Sequence, residues 1–192
     1  MLSMVDYVHE RIQSYPKNLI GVDFTMGNGY DTVFLADYCS YVYAFDIQKE
    51  ALEKTKQLLK EKNNVQLILD GHQNMDQYIT SFDIGIFNLG YLPLADHHVT
   101  TLLKTTKMAI QKAFASVQQV LFIVVYPGHE EGYKESLWID DYVCQLDSHQ
   151  WNVSSYKMLN KNQAPYVIEI QKKVSIIILN CFKLILKEGE KP

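Results

Sequence analysis

Short apolar runs alternate with amphipathic segments along this chain, with no internal repeat, low-complexity tract or Pro/Gly/Ser-rich linker between them. Residues 4–15 bring Val5, Val8, Ile12 and Tyr15 near one face, which predicts a helix that Pro16 ends. A strand is predicted at Leu19–Asp23, a glycine loop at 25–29 and a helix over 30–38. Tyr41–Asp46 reads as a second strand. Residues 48–62 read as a Lys/Glu-rich helix with Leu52, Leu58 and Leu59 turned inward. A third strand at Val65–Leu69 precedes a weak helix over 73–80. Phe82–Asn88 is nearly all apolar, the pattern of a strand buried on both faces. After a loop at 89–98 come a helix over 99–118, a strand at Val120–Tyr126 and a helix over 131–146. Two strands close the pattern, Trp151–Leu159 and Tyr166–Lys172, around the turn residues Asn160-Lys161-Asn162; their nearness in sequence predicts an antiparallel pair.

Strands alternating with helices imply a mostly parallel sheet covered on both sides. Five such units plus the closing pair give one doubly wound α/β domain with seven strands, expected over residues 1–173, with 174–192 as an extension of no assigned role. In this architecture ligands bind beyond the carboxyl ends of the strands. The chemistry is therefore sought at Asp23 onward, Asp46, Asp70–His72, Asn88 onward and Tyr126 onward.

The chain has 192 residues, 47% hydrophobic and 21% charged, which suits a globular domain and excludes a disordered or fibrous one. No apolar run is long enough to span a membrane. The opening Met1–Asp6 lacks a basic segment and soon meets His9-Glu10-Arg11, so a signal peptide is not expected and a cytoplasmic location is. Cys39, Cys144 and Cys181 form no close pair, so neither a disulfide framework nor a zinc knuckle is suggested. His97-His98 has no matching acid or cysteine spacing, and no metal is expected. The net charge of −4 argues against a general nucleic-acid binder. Residues 157–192, however, carry seven Lys and three Glu, a local balance of +4 that can meet phosphate. Arg11 is the only arginine, so bidentate reading of guanine is nearly unavailable.

The first polar cluster is Asp23-Phe24-Thr25-Met26-Gly27-Asn28-Gly29-Tyr30-Asp31-Thr32. Gly27 and Gly29 permit a tight turn and close backbone approach to a ligand, although Thr32 stands where a dinucleotide fingerprint wants its third glycine. Asp23 at the strand end repels pyrophosphate and can accept hydrogen bonds from an ammonium, which favours a ligand with a cationic end over NAD. A plain turn with Asp31 capping a helix is the alternative. In Ala44–Gln48, Asp46 lies 17 residues past Gly29, near the spacing of a ribose-binding acid, and is otherwise a helix cap. Asp70-Gly71-His72 offers polar groups and a small residue for an adenine, or an ordinary turn. Phe87-Asn88-Leu89-Gly90-Tyr91-Leu92-Pro93 resembles a motif of methyltransferases that act on amino groups, which implies that a side-chain amide, a backbone carbonyl and an aromatic ring hold an amine beside a flat base; a strand ending in a polar turn is the alternative. His129, in Tyr126-Pro127-Gly128-His129, could bond a substrate or start a helix. There is no G-x-S-x-G elbow and no P-loop.

The Asn88–Pro93 segment resembles the Asn-Pro-Pro-Tyr motif of amino-group methyltransferases, with Leu-Gly in place of Pro-Pro. Taken with Asp23–Thr32, Ala44–Gln48, Asp96, Thr100-Thr101 and Val125–His129 in that order, the chain resembles small bacterial S-adenosyl-L-methionine-dependent methyltransferases formerly labelled rRNA methylases. These are the MnmM (YtqB-like) type, which methylates 5-aminomethyl-2-thiouridine at tRNA wobble position 34. The likeness runs from about His9 to Lys173. It implies a Rossmann-like class I methyltransferase fold and S-adenosyl-L-methionine as cofactor. It further implies a tRNA anticodon stem-loop as partner, and it admits a homodimer. It places Asn88, Leu89 and Tyr91 at the catalytic centre. The cofactor would be held by Asp23, Thr25, Gly27, Asn28, Gly29, Asp31, Thr32, Asp46, Ile47, Gln48 and His72, and the substrate met by Gly90, Asp96, Tyr126 and His129. Asp31 and Thr32 would support the glycine loop. The family's Gly-Gly-Asp-Lys is here Leu94-Ala95-Asp96-His97, a histidine replacing a cation. For the RNA, Tyr91, Tyr126, Tyr133, Lys104, Lys107 and Lys161 are candidates. Methylation of rRNA or of a small-molecule amine, and a non-enzymatic cofactor-binding module, are the competing readings.

Overall fold

The computed structural model describes residues 2–90 and 103–173. Its strands are β1 (Ile20–Asp23), β2 (Tyr41–Asp46), β3 (Val65–Leu69), β4 (Phe82–Asn88), β5 (Val117–Val125), β6 (Trp151–Lys157) and β7 (Tyr166–Lys172). The helices are α1 (Met4–Ile12), α2 (Tyr30–Tyr38), α3 (Lys49–Leu59), α4 (Leu103–Ser116) and α5 (Glu130–Cys144), with a 3-10 turn at His72–Gln77. The seven strands form one sheet in the order β3-β2-β1-β4-β5-β7-β6. β1 to β5 run parallel, and β7 inserts antiparallel between β5 and β6. The expected doubly wound α/β sheet with a terminal antiparallel pair is therefore present.

Burial on both faces explains the apolar strands. In β5, Leu121, Ile123 and Val125 pack on one side with Ala109, Ile110 and Ala113 of α4 and Ile139 and Val143 of α5. Val120, Phe122 and Val124 point the other way, into a layer with Val8 and Ile12 of α1, Leu35 and Ala36 of α2 and Leu59 of α3. The period-two alternation of side chains thus feeds two cores from one strand.

Helix α1 is started by Ser3, whose side chain accepts from the Asp6 N–H while Asp6 accepts in return from the Ser3 N–H. Arg11 then ties α1 to β7: its Nε and Nη2 donate to the two oxygens of the buried Glu169 at 2.9 and 2.8 Å. The helix stops at Ile12, before the expected end at 15. In α3, Leu59 is buried and Leu52 half-buried, but Leu58 is exposed, contrary to expectation, because Ala51, Thr55 and Leu59 form the inward stripe. The weak helix expected over 73–80 is the 3-10 turn at His72–Gln77. β5 begins at Val117, three residues earlier than expected, because Val117 joins the ladder opposite Phe82. β6 ends at Lys157, and Leu159 lies in the exposed turn. The loop expected at 89–98 falls mostly outside the described residues, as does the expected extension 174–192.

Candidate active site

Neighbours of β1 in the sheet are β2 on one side and β4 on the other, so the chain leaves β1 at the point where strand order reverses. Asp23, Asp46 and Asn88 end these three strands at the same edge, and the register sets Asp23 beside Ala44 and Ile86. The segment 24–29 is anchored on both flanks. Phe24 N–H donates to Ile86 O and Met26 N–H to Phe45 O, each at 2.9 Å. Beneath it, the Phe24 ring stacks on Phe87 with centroids 4.1 Å apart and meets Phe82 edge-on at 5.5 Å. Gly27 and Gly29 both adopt positive φ, +51° and +83°, which side-chain-bearing residues rarely adopt.

Asp23 is fully buried. One of its oxygens accepts from Thr25 N–H at 3.0 Å and the other from Thr32 Oγ1 at 2.6 Å. It therefore pins the glycine loop to the first turn of α2. Burial is the main cause that pushes its carboxyl up to about 7, and the nearby Asp31 charge adds to it. Thr25 serves a second connection: its Oγ1 accepts from Asn88 N–H at 2.7 Å.

Asp31 receives Asn88 Nδ2 on one oxygen at 3.1 Å and His9 Nε2 on the other at 2.7 Å. Sequence reasoning missed His9 altogether. An ionised carboxylate only accepts, so Asn88 turns its NH2 toward Asp31 and keeps its carbonyl oxygen as the remaining acceptor. Leu89 is buried, with its N–H on Val124 O at 3.0 Å, continuing the β4–β5 ladder. A Cβ on Gly90 would meet the Tyr126 ring at 3.4 Å, so Tyr126 lies against the residue that follows Leu89. Burial raises the Tyr126 hydroxyl above its usual range, and the Asp31 charge adds to this. Tyr91 and Asp96 lie outside the described residues, as do Thr100 and Thr101.

Asp46 is half-buried and accepts from Gly27 N–H and Gln48 N–H, each at 2.9 Å. It joins the glycine loop to the start of α3 and retains lone pairs for further donors. Burial raises it, against the pull of those backbone bonds. Ile47 beside it is 62% exposed, and Gln48 and Asn28 are half-buried. His72 is buried, with Nδ1 against Phe24 O at 3.0 Å. The carbonyl can only accept, so Nδ1 carries the proton, and burial keeps the ring neutral by lowering its pKa. His129 caps α5, its Nδ1 accepting from Gly132 N–H at 3.1 Å. Tyr133 is exposed on that helix, and Lys107 lies over the Trp138 ring, 5.1 Å from its centroid.

The structure thus brings Thr25, Asp31, Thr32, Asp23 and Asn88 into one hydrogen-bonded group, with Asp46 beside it through Gly27. His72 is tied to the same segment through Phe24. Among the described residues there is no group of three or more metal-ligating side chains, and no helix long and apolar enough to cross a membrane.

Comparison with known proteins bears on this arrangement. The family described as "Putative rRNA methylase" matches residues 42–172. A protein of Arabidopsis thaliana named tRNA (mnm(5)s(2)U34)-methyltransferase, chloroplastic, is 32% identical over 171 residues. That match takes in 79% of this chain and 62% of the Arabidopsis protein, so the chain spans less than two thirds of that relative's length. Among solved structures, a putative rRNA-methylase from Clostridium thermocellum superposes with a TM-score of 0.85 at 34% identity, covering 90% of this chain and 99% of that one. A putative methyltransferase from Streptococcus mutans, solved in complex with SAH, gives 0.82 at 39% identity, with the same coverage of 90% and 99%. With the sheet order, the glycine loop after β1 and the match over most of its length, the chain belongs to the putative rRNA methylase family.

Proposed function

We propose that this chain is an S-adenosyl-L-methionine-dependent N-methyltransferase that converts 5-aminomethyl-2-thiouridine to 5-methylaminomethyl-2-thiouridine at wobble position 34 of tRNA. The observation that carries the reading is the Asn88 carboxamide at the end of β4, its nitrogen held by Asp31 so that its acceptor oxygen is turned away from that carboxylate. The similarity to the Arabidopsis protein supports the choice of substrate.

The residues present suit the cofactor. Asp46 is a half-buried carboxylate with spare lone pairs for a ribose diol, and Ile47 next to it presents apolar surface to an adenine. Among the described residues a Cβ on Gly27 would touch only Thr25 O, at 3.7 Å, so their backbone leaves room for close approach. Asp31 and Asp46 add negative potential, which suits a cationic ligand. When bound, S-adenosyl-L-methionine supplies an electrophilic methyl group on a sulfonium.

The chain's own part is alignment. Asn88 Oδ1 accepts one N–H of the neutral primary amine and the Leu89 carbonyl the other, which aims the nitrogen lone pair at the methyl carbon. That lone pair would accept the methyl of the bound cofactor, the C–N bond forming as the S–C bond breaks, and the resulting secondary ammonium would release a proton to solvent. Amine nucleophiles need little activation once neutral, so positioning and exclusion of water do most of the work. Asp96, Tyr126 and His129 belong to the substrate side of this reading, and a tRNA anticodon stem-loop is the partner.

The test is incubation of the full chain with S-adenosyl-L-methionine and tRNA bearing 5-aminomethyl-2-thiouridine, followed by nucleoside mass spectrometry. One added methyl at position 34, lost in Asn88→Ala, is expected. Cofactor binding without that gain would overturn the wobble assignment, and free amines would then be assayed.

A further inference from the structure

His9 sits on α1, far in sequence from the strand-end residues, yet its ring reaches the same carboxylate that holds Asn88. The two contacts use different oxygens of Asp31: His9 Nε2 lies 2.7 Å from Oδ1 and Asn88 Nδ2 lies 3.1 Å from Oδ2. Both neighbours must donate to an ionised carboxylate, so His9 carries its proton on Nε2 and Asn88 presents its NH2. A flipped Asn88 amide would set oxygen against oxygen. Asp31 therefore dictates which end of the amide is offered to a substrate, provided the carboxylate itself keeps its plane.

His9 is built to hold that plane. Its ring stacks on Phe34 with centroids 3.8 Å apart and planes 3° from parallel. Phe34 stands on α2 three residues beyond Asp31, so ring and carboxylate share one helix face. Arg11, two residues along α1, anchors the helix through its paired bonds to Glu169.

We propose that His9 is a positioning residue for amine methylation: by donating to Asp31 it fixes the carboxylate that holds the Asn88 amide with its oxygen toward the acceptor amine. This deepens the proposed function and rests on it.

Two substitutions separate the ring from the donor. His9→Phe keeps an aromatic face for Phe34 and removes the N–H. His9→Gln loses the ring and restores an N–H at similar reach. Both are assayed as full chains with S-adenosyl-L-methionine and the tRNA, and the Asn88 side-chain amide protons are followed by 15N NMR, assigned with Asn88→Ala. His9→Phe is expected to lower kcat about 10- to 100-fold, the scale of a small misplacement at a reacting centre. KM for tRNA and Kd for the cofactor should stay within about 3-fold, a smaller change than tenfold in binding. Its Asn88 amide signal should shift and exchange faster, and His9→Gln should recover most of both properties.

An unchanged kcat in His9→Phe, or a lowered kcat with an unmoved Asn88 signal, would overturn the positioning role while leaving the methyltransferase reading in place. Absence of methyl transfer by the unaltered chain would overturn the proposed function, and this role with it.

Discussion

Replacing Arg11 with methionine removes the guanidinium that fastens α1 to β7 and leaves Glu169 facing an apolar side chain. Glu169 is 4% exposed and accepts two charge-assisted bonds, at 2.9 and 2.8 Å. Bonds of this kind contribute about 1.5–3 kcal/mol each, and breaking a buried pair from one side costs about 3–5 kcal/mol. The Arg11 side chain is 38% exposed, so water screens part of the attraction and the lower end, about 3 kcal/mol, applies. For a chain of this size that lowers Tm by about 6–12 °C. Most of the cost comes from stranding a buried carboxylate. Arg11→Met combined with Glu169→Leu should therefore lose no more than about 1 kcal/mol. Urea unfolding of the two single variants and the double variant, monitored by circular dichroism, completes the cycle. A loss below about 1 kcal/mol in Arg11→Met, or a double variant as unstable as Arg11→Met, would refute the assignment of the clamp.

Glu135 is buried on α5 with Thr106 Oγ1 donating to it at 2.7 Å, and burial pushes its carboxyl up to about 7. The folded state then holds a proton that the unfolded state releases near 4.5, so stability should fall as pH rises through this window. Glu135→Gln should gain on the unaltered chain by about 1 kcal/mol or more between pH 4.5 and 7, and parallel stability curves would refute this. Gly29→Ala places a Cβ 2.5 Å from Thr55 Oγ1 at a φ of +83°. Backbone strain and overpacking together should cost about 2–4 kcal/mol in urea unfolding, and a neutral result would mean that the loop can relax. Asp46→Asn should weaken S-adenosyl-L-methionine binding by about 10- to 100-fold in calorimetry through loss of the charged acceptor; unchanged Kd would remove Asp46 from the ribose site.

Legibility in the sequence followed the range of the forces involved. β2, β3, β4 and β7 have the ends that pattern predicts; for β4 the reason is burial on both faces, which demands a nearly continuous apolar run. Leu58 was misread because hydrophobicity alone cannot tell the inward stripe of α3 from the residue one position aside; Thr55, a polar residue, took the buried place. The strand-end clusters were legible because the crossover rule says where a doubly wound sheet keeps its loops. What Asp23 does there was not: its neighbours Thr25 and Thr32 were visible, but not that they occupy both oxygens. His9 was beyond reach of local reasoning. Its contact with Asp31 exists only after α1 docks on the sheet, and its sole signal was a place beside Val8 on the edge of the apolar face.

The insertion of β7 between β5 and β6 has a consequence in time. The strand that receives Arg11 is the last of the described strands, and Glu169 comes 158 residues after Arg11. At ribosomal rates of about 5–20 residues per second, that gap is roughly 8–30 s. For about the second half of it, β1 to β4 and the glycine loop are already synthesised while α1 still has no Glu169 to grip. The amide-holding network is thus closed by an early helix and a late strand, and a ribosome stalled before β7 would carry a nascent chain that has the glycine loop but lacks the Arg11–Glu169 clamp on the helix that bears His9.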